Sequence, residues 1–233
     1  MTEFPITDRT RVRRLPKRAV YERERLYAIL DEALVCHVGF IANGQPFVIP
    51  TGYGRCDDRL YIHGSAASRM LNTAKDGVDL CVTVTLLDGL VLARSAFHHS
   101  MNYRSAVVFG RARAITDEEE KRAALRVITE HIVPGRWQDV RAPTALELKA
   151  TLVLGLEISE ASAKVRSGPP IDDEEDYQLP IWGGVLPVRT VYGAPVDDGR
   201  LLENVQPPEY ALKYRRPGDA IDSRLEPTLP ATP

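Results

Sequence analysis

The sequence predicts a mainly β protein, a β-barrel with added helices, and three observations carry that expectation. Runs rich in β-branched residues recur between residues 35 and 115, a strong hairpin signal joins the first two, and helical periodicity is confined to the flanks and one short insert. Short strands with few helices among them argue for an antiparallel barrel and against a parallel βαβ sheet.

The elements follow in order. Residues 1–20 hold Arg9, Arg11, Arg13, Arg14, Lys17 and Arg18 against Glu3 and Asp8, so they read as a basic arm, solvated or lying on an acidic partner. From Tyr21, the positions Leu26, Ile29, Leu30, Ala33 and Leu34 fall at helical spacing, which gives a helix one buried face. "VCHVGFIA" and "QPFVIPTGY" flank Asn43-Gly44, both of which tolerate positive φ, and "RLYIHG" follows the polar turn "RCDD". After a short helical piece near 66–76 come "LCVTVTLL", "LVLARSAF" and "AVVFGRARAI", making at least six strands. Capping boxes, Thr116 with Glu119 and Thr144 with Glu147, signpost two helices, and Leu125, Ile128, Ile132 and Val133 give the first its buried face. "LVLGLEI" reads as one more strand, and the acidic loop "DDEED" at 172–176 opens the last segment. Beyond Gln206 prolines thicken without apolar periodicity, so 206–233 reads as an extended or disordered tail, dispensable for cofactor binding. The domain between arm and tail spans 21–205.

The totals exclude several function classes. The 233 residues are 44% hydrophobic, enough to bury a core. Thirty basic residues against 32 acidic give a formal charge of -2, which offers no bulk attraction to nucleic acid or to an anionic membrane. Cys36, Cys56 and Cys81 fit neither a disulfide framework nor a zinc pattern, and free cytoplasmic thiols are expected. No apolar leader segment or run of 18 uncharged apolar residues is present, so the expectation is a soluble, cytoplasmic protein. Neither G-x-G-x-x-G nor G-x-x-x-x-G-K-[ST] occurs.

One junction carries chemistry. In "LYIHGSAASRML", residues 60–71, a strand gives way to a helix start. Gly64 allows close backbone approach, Ser65 and Ser68 offer hydroxyls, Arg69 offers a planar donor fork, and the helix-start amides point the same way. Together they would make a phosphate cup. The same residues serve equally well as an N-cap serine and a surface arginine. The pair His98 and His99 invites a metal, but adjacent strand residues point to opposite faces, so no metal site is expected there.

Four segments in order, "FVIPTGY", "LYIHGSAASRM", "FHHSMNYRSAVVFG" and "IWGGVLP", resemble the pyridoxamine 5'-phosphate oxidase-like flavoproteins, in the branch that includes nitroimidazole-resistance proteins. The resemblance spans roughly residues 10 to 190 and implies a split β-barrel that forms a homodimer with FMN bound across the interface. By that resemblance Val48, Ile49, Pro50 and Thr51 form the strand under the flavin, and His63 and Gly64 end the next strand. Ser65 joins the cup; Ser68 and Arg69 match the Ser-Arg of a phosphate-binding Ser-Arg-Lys whose lysine is here Met70. Arg104 and Ser105 fall where the partner subunit supplies a Gln-Ser pair, and Trp182 where a tryptophan approaches the cofactor. The loss of the lysine, and Phe47 and Thr51 at strand ends that are charged in the oxidases proper, imply weaker FMN binding or a different flavin. Only a lone Arg189 stands where oxidases hold pyridoxine phosphate, so vitamin B6 synthesis is not expected. The implied function is an FMN-dependent oxidoreductase acting on a small molecule at the open flavin face, with a nicotinamide as candidate reductant. The rival from another class is a non-catalytic flavin or haem binder, a sensor or carrier, with His63, His98 or His99 as axial ligand.

Overall fold

The computed structural model describes residues 2–218. It is mainly β: ten strands, all paired antiparallel, with six helices around them. The strands are β1 (Ala19–Val20), β2 (Val35–Ala42), β3 (Gln45–Gly52), β4 (Gly54–Cys56), β5 (Arg59–Ser65), β6 (Asp79–Leu92), β7 (Ser100–Ala114), β8 (Thr151–Glu157), β9 (Glu160–Arg166) and β10 (Gly184–Pro187). The helices are α1 (Arg23–Glu32), α2 (Arg69–Ala74), α3 (Glu118–Ile132), α4 (Arg136–Asp139), α5 (Ala145–Ala150) and α6 (Glu209–Leu212). None of the helices among the described residues is long and apolar enough to cross a membrane.

The main path through the sheet runs β3-β2-β6-β7-β8-β5-β4. The long strands β6 and β7 each serve two neighbours on their outer sides: β6 pairs with β2 and then β10, β7 with β9 and then β8. The sheet thereby rolls around a core, and its edge strand β3 comes near β5, the strand next to the other edge, without pairing with it. That gap is the split of the barrel. The inward row Cys36, Val38, Leu80, Val82, Val84, Ala106 and Val108 is buried, as period-two alternation requires. Tyr53, fully buried, donates its hydroxyl proton to the Leu30 carbonyl and so fixes α1 inside the barrel mouth.

Local signals explain the connections. Asn43 and Gly44 take φ of 51° and 75°, the left-handed pair of a tight hairpin between β2 and β3. The Thr144–Glu147 capping box forms in full at α5. The helix expected to start at Thr116 is instead capped one residue later, where Asp117 Oδ1 accepts the Glu120 amide at 2.8 Å. Gly54 is needed where β4 meets α3, because a Cβ there would lie 2.7 Å from the Ile128 Cα.

Three stretches differ from expectation. "LVLARSAF" is not a separate strand: β6 runs through to Leu92, and Ala96–His98 forms a 3-10 turn. The basic arm is seated only in part: Phe4 is buried edge-on against Tyr27 and Arg9 pairs with Glu160 and Asp79, while Arg11, Arg13, Arg14 and Lys17 are exposed. Within 206–218 the C-terminal stretch is anchored, in contrast to a free tail. The buried Arg216 guanidinium donates to the carbonyls of Asp31, Glu32 and His131, and the Tyr214 hydroxyl donates to Ile132 O at 2.5 Å. These are the last carbonyls of α1 and α3, which have no acceptor role within their own helices. The remainder of the expected tail, residues 219–233, lies outside the described residues.

Candidate functional site

The site is built where the edge strand β3 approaches β5. On β3, Phe47, Ile49 and Thr51 are register partners of Phe40, Val38 and Cys36, so they share the inward row. Yet Ile49 is 39% exposed, because β3 is an edge strand and the barrel is open beside it. Val48 and Pro50 alternate to the outer face, where Val48 is 64% exposed. β3 has a ladder partner on one side only, so backbone groups of 46–51 remain available along the split.

Across the split, β5 ends in His63, Gly64 and Ser65, held by pairing with Val153, Leu152 and Thr151 of β8. His63 Nδ1 is buried with no hydrogen-bond partner, and desolvation lowers the pKa of this imidazole, so it is held neutral. The chain then turns sharply. Ser65 Oγ accepts the Ala67 amide at 3.2 Å, Ser65 O accepts the Ser68 amide at 2.9 Å, and Asn72 Nδ2 ties Ala66 O and Ser68 O at 2.7 and 3.0 Å. Ser68 caps α2, its Oγ accepting from Leu71 N at 3.5 Å. A Cβ on Gly64 would sit 3.0 Å from Leu71 Cδ1, so the glycine keeps strand end and helix start close together.

These bonds occupy the turn and leave the amides of Arg69 and Met70 without an acceptor. Arg69 is exposed, has no carboxylate within 4 Å among the described residues, and lies 5.5 Å over the Phe47 ring. Phe47 thus steers the guanidinium across the split, a role its position in the sequence did not signal. Met70, in the place of the family's lysine, is 7% exposed and packs into the core. Among the described residues the cup therefore offers one unpaired cation, two free amides and two serine hydroxyls around a glycine-permitted close approach. That donor set fits a phosphate group, and the open edge of β3 fits a flat ring beside it.

The remaining candidates lie elsewhere. Arg104 points to the inner end of the barrel, where Asp88 accepts from its Nε and Nη2 at 3.0 and 2.7 Å and Glu32 closes on the other side. Hydrogen bonds to Asp88 and Glu32 raise its pKa further. It is held within its own chain by these two carboxylates and remains partly exposed. Ser105 alternates to the outer sheet face, with Oγ 3.4 Å from Lys164 O. Trp182 is 63% exposed and lies so close over Gly184 that a Cβ there would be 2.6 Å from its Cζ2. His98 and His99 do not act together: His98 Nε2 meets Asp173 at 3.2 Å, while His99 Nδ1 meets Ser95 O at 2.9 Å. The acidic loop, unremarkable in sequence, contributes the fully buried Asp172 side chain, which accepts from Arg94 N and Nη1 at 2.9 and 3.0 Å and locks residues 92–99 to 168–173.

The outer sheet face is unusually apolar. Leu186, Leu90 and Met101 are direct cross-strand partners on β10, β6 and β7, and each is between 39% and 55% exposed. Val48 and Ile41 extend the same exposed character onto β3 and β2.

The family model described as pyridoxamine 5'-phosphate oxidase matches residues 22–165, from α1 to the end of β9. The chain belongs to that oxidase-like family. Among solved structures, the flavocytochrome Anf3 from Azotobacter vinelandii is 47% identical, with a TM-score of 0.85, and the match covers 90% of this chain and 97% of that one. The FAD and heme binding protein from Mycobacterium smegmatis is 39% identical, with a TM-score of 0.80 over 83% of this chain and 95% of that one. A putative 5-nitroimidazole antibiotic resistance protein from Bacteroides thetaiotaomicron is 27% identical, with a TM-score of 0.53, over 63% of this chain and 86% of that one. No curated protein sequence matches.

Proposed function

We propose that this chain is a flavin-binding redox protein that holds its cofactor by a phosphate at Ser65–Met70 and lays the ring along the open edge of β3. The observation that carries this reading is Arg69, a cation with no carboxylate partner among the described residues, aimed across Phe47 beside two free amides. When bound, a flavin supplies hydride or electron transfer, and the protein supplies orientation and access. Gly64 allows the approach, Ser65 and Ser68 shape the turn, and Arg69 balances charge. The neutral His63 at the strand end is a hydrogen-bonding group whose Nδ1 has no partner among the described residues.

The resemblance implies FMN; the cup favours FAD. An FMN phosphate is a dianion near neutral pH, whereas each phosphate of a dinucleotide carries one charge. With Met70 buried in place of a lysine, the cup supplies one cation, which matches one charge. The relative from Mycobacterium smegmatis, described as FAD and heme binding, supports the same choice. Cofactor released by denaturing the purified protein and identified by chromatography tests it: FAD is expected, FMN would restore the mononucleotide reading, and no flavin would remove both.

A second reading is that haem is bound as well, favoured by the two relatives described as a flavocytochrome and an FAD and heme binding protein. The outer sheet face supports a homodimer, since Leu186, Leu90, Met101 and Val48 would otherwise be left in water. Ser105 lies on that face and would reach the partner's cofactor, while Arg104 is ion-paired to Glu32 and Asp88 of its own chain. Oxidoreduction of a small molecule with a nicotinamide reductant is tested by anaerobic titration. Bleaching of flavin bands by NADPH supports it, and bleaching by dithionite alone supports a carrier.

A further inference from the structure

The geometry points to a divalent metal site formed by His98, Asp173 and Asp176, with zinc as the ion that fits it. The sequence set His98 beside His99, and the rings of those two residues turn to different partners. The fold instead brings His98 to the acidic loop 75 positions further on, where its Nε2 lies 3.2 Å from Asp173 Oδ2. One donor atom from each of His98, Asp173 and Asp176 lies within 4.8 Å of one from each of the others. Two zinc bonds of about 2.0–2.1 Å at a tetrahedral angle hold their donor atoms about 3.3 Å apart, so His98 and Asp173 already have the spacing of two ligands. Rotation of an aspartate side chain at the surface brings in the third.

The donor set is mixed, and its charge calls for a cation. Asp173, Glu174, Glu175 and Asp176 follow one another, and among the described residues neither lysine nor arginine pairs with any of them. Arg94 is taken by the loop's other carboxylate, Asp172. The loop gathers two of the four remaining groups, because Asp176 N donates to Asp173 O at 3.0 Å and closes a turn. A plain hydrogen bond between His98 and Asp173 would leave Asp176 beside like charge, whereas an ion among the three uses every donor. An imidazole nitrogen next to carboxylate oxygens suits zinc and its first-row neighbours better than magnesium or calcium, which favour oxygen alone.

Neighbours on both sides fix these donors. The Asp172 side chain, with no solvent exposure, accepts from Arg94 N and Nη1 at 2.9 and 3.0 Å. Just past Asp176, the Tyr177 ring lies 4.8 Å beneath the Arg94 guanidinium, and its hydroxyl accepts the Asp172 amide at 3.4 Å. Across from the loop, His98 ends the Ala96–His98 turn, its amide donating to Ser95 O at 3.3 Å and its ring edge-on to Phe97 at 5.2 Å. Ligands supported in this way keep their aim on one point. Three protein donors leave one tetrahedral position to water, and the exposed Asp173 side lets the ion enter from solvent. The bound ion ties the turn after β6 to the loop that leads into Trp182 and β10, so its effect is on the stability of that junction.

The test uses the full-length protein stripped with EDTA, with zinc as the probe. Wild type, His98→Gln, Asp176→Asn and His99→Gln are compared by competition against a chromophoric chelator and by thermal unfolding. Wild type should bind about one zinc per chain, and zinc at about a hundredfold excess over its Kd should raise Tm by about 5–11 °C. His98→Gln and Asp176→Asn should each weaken zinc about tenfold or more, and His99→Gln should leave it unchanged. In EDTA, Asp176→Asn should melt at or above wild type, since one of four like charges has left the loop. A wild type that binds no zinc, or a zinc affinity that His98→Gln and Asp176→Asn both leave unchanged, would overturn the site. Affinity kept in His98→Gln and lost in Asp176→Asn would reduce it to an acidic patch and overturn it equally.

Discussion

Replacing Arg216 with alanine removes the cation that closes two helix ends at once. The guanidinium is 6% exposed and donates to carbonyls of Asp31, Glu32 and His131, and it also places positive charge at the negative ends of α1 and α3. Hydrogen bonds to a charged group are each worth about 1.5–3 kcal/mol, but the freed carbonyls regain water once the strap lifts. A net loss of about 3 kcal/mol is the reasonable figure, and for a chain of this size it corresponds to about 6–12 °C in Tm. Thermal unfolding by circular dichroism, with Arg216→Lys as the partial replacement and truncation after Gln206 as the full removal, reads this directly. The order of Tm should be wild type, Arg216→Lys, Arg216→Ala, with the truncation at or below the alanine variant. An Arg216→Ala protein melting within 1 °C of wild type would refute the reasoning and return residues 206–218 to the status of a passive tail.

Gly54→Ala should destabilise by about 1–3 kcal/mol, visible as a lower urea midpoint, because its Cβ meets backbone of α3 at 2.7 Å and the helix must shift. Stability of the apoprotein should fall as pH drops below about 6.5. Burial lowers the pKa of both His63 and His131, so the unfolded chain takes up protons there before the folded one does. The slope is at most about 1.4 kcal/mol per pH unit for each, and urea melts at pH 7.5 and 5.5 should show a smaller difference in His63→Gln; an equal difference would contradict the assignment. Burial pushes the Cys36 thiol up to about 12, so iodoacetamide at pH 8 should label exposed Cys56 in the native state and spare Cys36, as peptide mass mapping would report.

Much of the fold was legible where local chemistry decides it. Asn43-Gly44 marked a tight turn, Thr144 with Glu147 marked a helix start, and alternation along Val35–Ala42 put Cys36 and Val38 inside. The strand Glu160–Arg166 was not legible, because its buried residues Ala161, Ser162 and Ala163 are small and carry no β-branched signal. The cup was visible as a pattern of glycine, serines and arginine; that Arg69 is unpaired, and that Phe47 carries it across the split, depends on contacts 22 positions apart. Arg104 shows the opposite case. It matched a family position, but Glu32 and Asp88 are brought to it only by the rolled sheet. Arg216 was hidden because its partners are backbone carbonyls, which any sequence possesses.

The central claim is that a phosphorylated flavin is held at Ser65–Met70 with Arg69 as its charge partner. The direct measurement is a pair of calorimetric titrations of the apoprotein, FAD and riboflavin, each against wild type and Arg69→Ala. Losing one charge-assisted contact of about 1.5–3 kcal/mol should weaken FAD by about one to two powers of ten and leave riboflavin, which has no phosphate, unchanged. FAD affinity that is unaffected by Arg69→Ala would contradict the claim, and so would an equal loss for both ligands.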